Sequence, residues 1–79
     1  MAYCRRTGDC RVYMYASISG GYQFHLSGSA RDEESGRTDF NVPTAKKALH
    51  RLKRLQIQGF GVPQYAIDRL QDEIDHGEV

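Results

Sequence analysis

The segment VPTAKKALHRLKRLQIQGFGVPQYAIDRLQDEIDH, residues 42–76, decides the fold. Stepped at about 100° per residue, Ala45, Ala48, Leu49, Leu52 and Leu55 gather on one side of a helix running from Pro43 or Thr44 to about Gln58. Lys46, Lys47, His50, Arg51, Lys53 and Arg54 take the other side. Two starts compete. Thr44 can cap the helix by accepting a backbone N–H, or Pro43 can occupy the first helical position, where its missing donor costs nothing. Gly59 and Gly61 break the period, and one of them is expected to supply the positive φ of a C-cap. Val62-Pro63 then opens a second helix with Ala66, Ile67, Leu70 and Ile74 as its stripe and Asp68, Asp72, Glu73 and Asp75 outside it. So short a connection makes the two helices antiparallel. Their basic and acidic flanks either pair across the seam or stand solvated. Tyr65 falls off the stripe, alongside Arg69 and Asp72. Its ring either covers Arg69 one turn on or belongs to a contact surface.

Working back from the helices, Arg11 to Ile18 alternates, with Val12, Met14, Ala16 and Ile18 on one face and Arg11, Tyr13, Tyr15 and Ser17 on the other. That period of two reads as a strand. Ser19-Gly20-Gly21 makes a turn, and Tyr22 to Ser27 alternates again, with Tyr22, Phe24 and Leu26 opposite Gln23, His25 and Ser27. Residues 28–37, GSARDEESGR, have no period and read as a loop. Thr38 to Val42 adds a short third strand with Phe40 turned inward. Residues 1–10 read as short and polar, with a turn at Gly8-Asp9. The expected architecture is α+β: a small antiparallel sheet of two to three strands packed on a C-terminal helical hairpin. A two-stranded ribbon alone is marginal in water, so the third strand and the helices are needed to hold it.

The bulk numbers are those of one globular domain of 79 residues, with 39% hydrophobic and 27% charged side chains. A chain of this size buries only about 60–65% of its unfolded surface, so its core is thin. A net charge of +1 argues against a dedicated non-specific nucleic-acid binder but leaves room for a one-sided patch. No apolar run is long enough to span a membrane, and Met1 to Arg6 lacks the apolar centre of a signal peptide. A cytoplasmic location follows as the expectation, with Cys4 and Cys10 as thiols instead of a disulfide.

With helices on one side only, Arg11, Tyr13, Tyr15, Gln23 and His25 remain on the other. Tyrosine and arginine are enriched at binding hot spots because each offers a large contact area and directed hydrogen bonds. The same tyrosines could equally do no more than pair across strands. An aromatic sheet face can also stack nucleobases. The alternative reading is a small nucleic-acid-binding regulator that uses this aromatic face together with the basic first helix, through Lys46, Lys47, Arg51, Lys53 and Arg54.

Little else in the chain points to chemistry. Cys4 and Cys10 stand too far apart for a zinc knuckle, with no second cysteine pair or His-x-x-x-His downstream. A zinc-stabilised module drawing on Cys4, Cys10 and His25 is the third and least supported reading. Nothing places either cysteine beside His25 or His50 as a nucleophile with its base. Gly20-Gly21 lies in a hairpin and not between a strand and a helix, so it is not a phosphate loop. Asp32, Glu33 and Glu34 form an acidic run that is either solvated or a charge mimic. The expectation is a protein that is not an enzyme and takes no cofactor or metal.

Two segments carry a resemblance. Tyr3-Cys4-Arg5, then Cys10-Arg11-Val12-Tyr13-Met14-Tyr15, Gly20-Gly21-Tyr22 and His25, together with Leu52-x-x-Leu55 and Gly59-x-Gly61-Val62-Pro63-x-x-Ala66-Ile67-x-x-Leu70, resemble a family of short phage and prophage proteins of actinobacteria. That family has no assigned activity. The resemblance implies a protein of the host cytoplasm that binds a host protein or ribonucleoprotein complex. A CRISPR effector is the expected target, with the chain acting as an anti-CRISPR inhibitor, and a homodimer is possible. The step from genomic setting to role is associational. Under it the contact residues are Arg5, Arg11, Tyr13, Tyr15, His25 and Tyr65, with Asp32, Glu33 and Glu34 mimicking phosphate charge against a basic groove.

Overall fold

A computed structural model describes residues 2–5, 8, 10–27 and 36–77. Four strands, β1 (Ala2–Cys4), β2 (Val12–Ala16), β3 (Tyr22–Leu26) and β4 (Asp39–Val42), precede two helices, α1 (Ala45–Ile57) and α2 (Gln64–Asp75). The strands form one antiparallel sheet in the order β1-β2-β3-β4. Both helices pack on one side of it, giving the expected α+β class with four strands in place of two or three.

The additional strand is β1, in the stretch read as merely polar. Its pairing with β2 slips by one residue, so that Ala2 faces Tyr15 and Cys4 faces Met14. A bulge of this kind lets two successive side chains turn to the same side. Tyr3 and Cys4 are accordingly both buried, at 5% and 1% exposure. A three-residue strand that breaks the period of two has no alternation to betray it.

The central strands follow their alternation. Val12, Met14, Tyr22, Phe24 and Leu26 are buried, and Phe40 and Val42 join them from β4. Phe24 and Phe40 face each other across the strands and stack with centroids 4.7 Å apart. Ala16 and Ile18 depart from the expected face. β2 ends at Ala16, and Ile18 stands fully exposed in the turn of residues 17–21. Gly21 closes that turn at φ +78°, and a Cβ there would lie 2.6 Å from the Val42 carbonyl oxygen, so both backbone angle and space require glycine.

Thr44 settles the competition at the start of α1: its hydroxyl accepts the Lys47 N–H at 3.2 Å. The helix ends in a Schellman motif. Gly59 takes φ +90°, its N–H reaches Gln56 O at 3.2 Å, and the Phe60 N–H reaches Leu55 O at 3.1 Å. The hydrophobic contact that accompanies this motif explains why Phe60 is buried together with Leu55. Gln56 Nε2 then donates to Val62 O at 3.1 Å and to Gln64 Oε1 at 3.2 Å, tying the end of α1 to the start of α2. Ala48, Leu52, Leu55, Ala66 and Leu70 are fully buried between the helices and the sheet.

The acidic side chains of α2 are engaged largely within their own helix. Gln64 donates to Asp68 at 3.1 Å, Gln71 donates to Asp75 at 2.9 Å, His76 lies 3.2 Å from Asp72, and Arg69 lies 3.6 Å from Glu73. Glu73 also ties α2 to β1, because it accepts the Tyr3 hydroxyl. Burial, reinforced by the Glu73 hydrogen bond and charge and partly offset by Arg69, raises the Tyr3 phenol well above its ordinary range. Burial and the Glu73 charge raise Tyr22 beside it as well, opposed by its hydrogen bond with Tyr3.

Candidate functional site

The face of the sheet away from the helices is built by the other half of each alternation. Tyr13 and Tyr15 come from β2, Gln23 and His25 from β3, and Asp39 and Asn41 from β4. Register brings them together. Tyr13 sits directly across from His25, Tyr15 from Gln23, and His25 from Asp39. The Tyr13 and Tyr15 rings have centroids 5.1 Å apart. The His25 ring lies within about 21° of parallel to both tyrosines, at 6.0 and 5.7 Å. All three are half-exposed.

A chain of polar contacts crosses this platform. His25 Nδ1 is 2.9 Å from Asp39 Oδ1, and His25 Nε2 is 3.3 Å from the Tyr15 hydroxyl. A carboxylate can only accept, so in the neutral imidazole Nδ1 carries the proton and Nε2 is left to accept from Tyr15. Alongside, Asn41 Nδ2 donates to Gln23 Oε1 at 3.3 Å. Asp39 and Asn41 are missing from the sequence-based site, although an inward Phe40 already turns both neighbours outward by period two.

Of the other residues expected at this face, Arg11 is drawn away from the tyrosines. Its Nη2 donates to Gly59 O at 3.0 Å, its guanidinium lies 4.9 Å from the centre of the Phe60 ring, and its N–H bonds Phe60 O at 2.8 Å. Arg11 therefore fastens β2 to the interhelical turn while remaining exposed. Arg5 is exposed just beyond β1, at the opposite edge of the sheet from Asp39. Tyr65 is 65% exposed at the start of α2. Arg69, its expected partner, is placed over the Tyr3 ring at 5.1 Å. Asp32, Glu33 and Glu34 lie outside the described residues.

The basic residues of α1 are on the far side of the sheet from the tyrosines. Lys46, Lys47, Lys53 and Arg54 are exposed, whereas Arg51 is half-buried with its guanidinium 4.3 Å from the centre of the Phe40 ring. Val42, Lys46, Lys47, His50 and Arg51 surround a shallow hollow of about 320 Å³. A larger hollow of about 630 Å³ lies at the Gly21 end, walled by Tyr22, Pro43, Ala45 and Ile74 among others.

Cys4 and Cys10 do meet, as free thiols. Burial pushes the Cys4 thiol up to about 12, with the neighbouring Cys10 adding to the shift and a backbone contact at Met14 opposing it. Cys10 itself donates to Val12 O at 3.4 Å. Cys4 faces the core while His25 faces outward, so the two cysteines and His25 cannot share one metal ion or one reaction. Among the described residues no group of three or more His, Cys, Asp or Glu side chains could hold a metal ion, and no helix is long and apolar enough to cross a membrane.

Comparison of the chain with protein-family models, with curated proteins and with solved structures gives no significant match.

Proposed function

We propose that this chain is a non-enzymatic protein-binding module whose open sheet face docks on a host protein or ribonucleoprotein. In the specific reading it inhibits a bacterial defence complex of the CRISPR effector kind by covering one of its surfaces. One observation carries the proposal: one side of the sheet is sealed by two helices, while the other leaves Tyr13, Tyr15 and His25 together and half-exposed. Aromatic rings clustered on a rigid, pre-formed surface provide the low-entropy contact area that dominates protein recognition. Cytoplasmic action in a host cell belongs to the same reading.

The test is a target-binding assay with a purified effector complex and increasing amounts of this chain. Inhibition that saturates near one chain per complex is the expected result, and complete inhibition at a small fraction of that ratio would reveal an enzyme. Replacing Tyr13 and Tyr15 together with alanine should weaken inhibition by about 30-fold or more, the loss of a hot spot of about 2 kcal/mol, with an unchanged circular dichroism spectrum. Full inhibition by that variant would remove this face from the interface.

A second reading has its own supporting observation, the hollow ringed by Lys46, Lys47, His50 and Arg51. In it the chain is a small nucleic-acid-binding regulator using α1. Affinity for an oligonucleotide would then fall steeply with salt and drop on neutralising Lys46 and Lys47. A flat salt response disposes of it.

A further inference from the structure

The hydrogen-bond roles on the tyrosine face are unequally distributed. With the imidazole neutral, Asp39 accepts the His25 Nδ1 proton through one carboxylate oxygen, and Tyr15 donates its hydroxyl proton to His25 Nε2. Asn41 gives an amide proton to Gln23. What these groups turn to the outside is electron-rich: the second Asp39 oxygen, the lone pairs of the Tyr15 oxygen and the π faces of Tyr13 and Tyr15. The Tyr13 hydroxyl can serve in either role, and the remaining amide protons of Gln23 and Asn41 can donate, so the unshared acceptors gather about Asp39 and Tyr15. The Asp39 side chain is 61% exposed, so its charge is accessible. Two cations stand two residues from members of this face: Arg11 has its guanidinium on Phe60 and Gly59, and Arg37 is exposed just before β4. Arg5 stands across three strand spacings from Asp39, about 14 Å, which exceeds the screening length of about 8–10 Å in physiological salt.

A surface of ring faces and acceptors around a carboxylate fits a flat group that only donates. We infer that the tyrosine face receives an arginine side chain of the partner, its guanidinium lying on Tyr13 or Tyr15 and donating to Asp39. The inference rests on the protein-binding reading above and names the chemistry of that contact. Guanidinium is planar, keeps its charge, stacks on aromatic rings and carries five N–H donors. Lysine offers a compact, strongly hydrated charge that does not stack, and a nucleic-acid backbone brings phosphates that Asp39 repels. An arginine-bearing surface is also what a nucleic-acid-binding groove presents, so occlusion of such a groove uses the same contact.

The experiment follows the amide and ring resonances of the full chain while short peptides are added: one rich in arginine, one with lysine at the same positions and one with uncharged citrulline. The arginine peptide should shift Tyr13, Tyr15, His25 and Asp39. The lysine peptide should bind several-fold more weakly, and the citrulline peptide should leave the face unmoved. Asp39→Asn should weaken arginine-peptide binding by about five- to tenfold, and Asp39→Glu should restore most of it. Shifts confined to α2, or equal shifts with citrulline, overturn the inference. So does movement of the face resonances on simple dilution, which would make a second copy of this chain the occupant. A single-stranded oligonucleotide that shifts the same residues overturns both the inference and the protein-binding reading. If Tyr13→Ala with Tyr15→Ala abolishes inhibition while Asp39→Asn leaves it intact, the guanidinium contact falls and the docking face stands.

Discussion

Val12, Met14 and Phe24 have no exposed surface, while Tyr13, Tyr15 and His25, their neighbours along the same two strands, are half-exposed. The first group packs under two helices among side chains from every other element. The second group has its described contacts within the sheet face itself: ring against ring, imidazole to carboxylate, hydroxyl to imidazole. One backbone thus carries a face that packs the core and a face whose described contacts stay on the surface of the sheet. Recognition can change on one side without loss of stability on the other.

This division can be tested from its strongest point downward. Phe24→Ala should cost about 3–5 kcal/mol, since it empties the stack with Phe40 in the middle of the core, and chemical denaturation should show a large loss or outright unfolding. A loss below about 1 kcal/mol would mean that the sealed face is not what holds the fold.

Tyr3→Phe should cost less, about 1–3 kcal/mol, because it leaves the Glu73 carboxylate without one of its partners. The same region sets the response to alkali. Folding holds the Tyr3 and Cys4 protons more tightly than the unfolded chain does, where the ordinary values are 10.0 and 9.0. Their contribution is therefore complete below about pH 9 and declines as pH rises, first through Cys4 and then, above about pH 10, also through the two raised tyrosines, Tyr3 and Tyr22. Thermal midpoints measured between pH 7 and pH 11 should fall over that upper range, and less steeply above pH 10 in Tyr3→Phe. The smallest effect belongs to the open face: Tyr13→Ala should cost about 0.2–1 kcal/mol, the scale of a cross-strand pair. A loss as large as that of Phe24→Ala would erase the distinction between the two faces.

The helices and the central hairpin were legible because their signals are dense and local: five apolar residues on one helical face, two strands of clean alternation, glycines where the chain turns back. Phe40 between Asp39 and Asn41 announced β4 in the same way. β1 left no such trace. It is three residues long, its bulge cancels the alternation, and the partner that buries Tyr3 is Glu73, 70 positions away. Alternation also left the contacts of Arg11 unspecified. A period of two says which way a side chain leaves the strand, but not where a long flexible stem can carry its guanidinium, and the acceptor it finds is in the interhelical turn. Asp39 follows the same alternation, but a single exposed carboxylate has no signature until the strand register sets it beside His25. That the site is centred on a carboxylate–imidazole–phenol chain required the strand register, which no local pattern contains.

The slip in β1 has an effect beyond burying two side chains. β1 is an outer strand, and a regular outer strand offers an incoming chain a straight row of unpaired amides on which to grow. Here that row is three residues long and kinked at its middle, so successive donors and acceptors do not point along one line. The bulge that admits Tyr3 and Cys4 to the interior thereby also makes this edge of the sheet a poor template for edge-to-edge pairing.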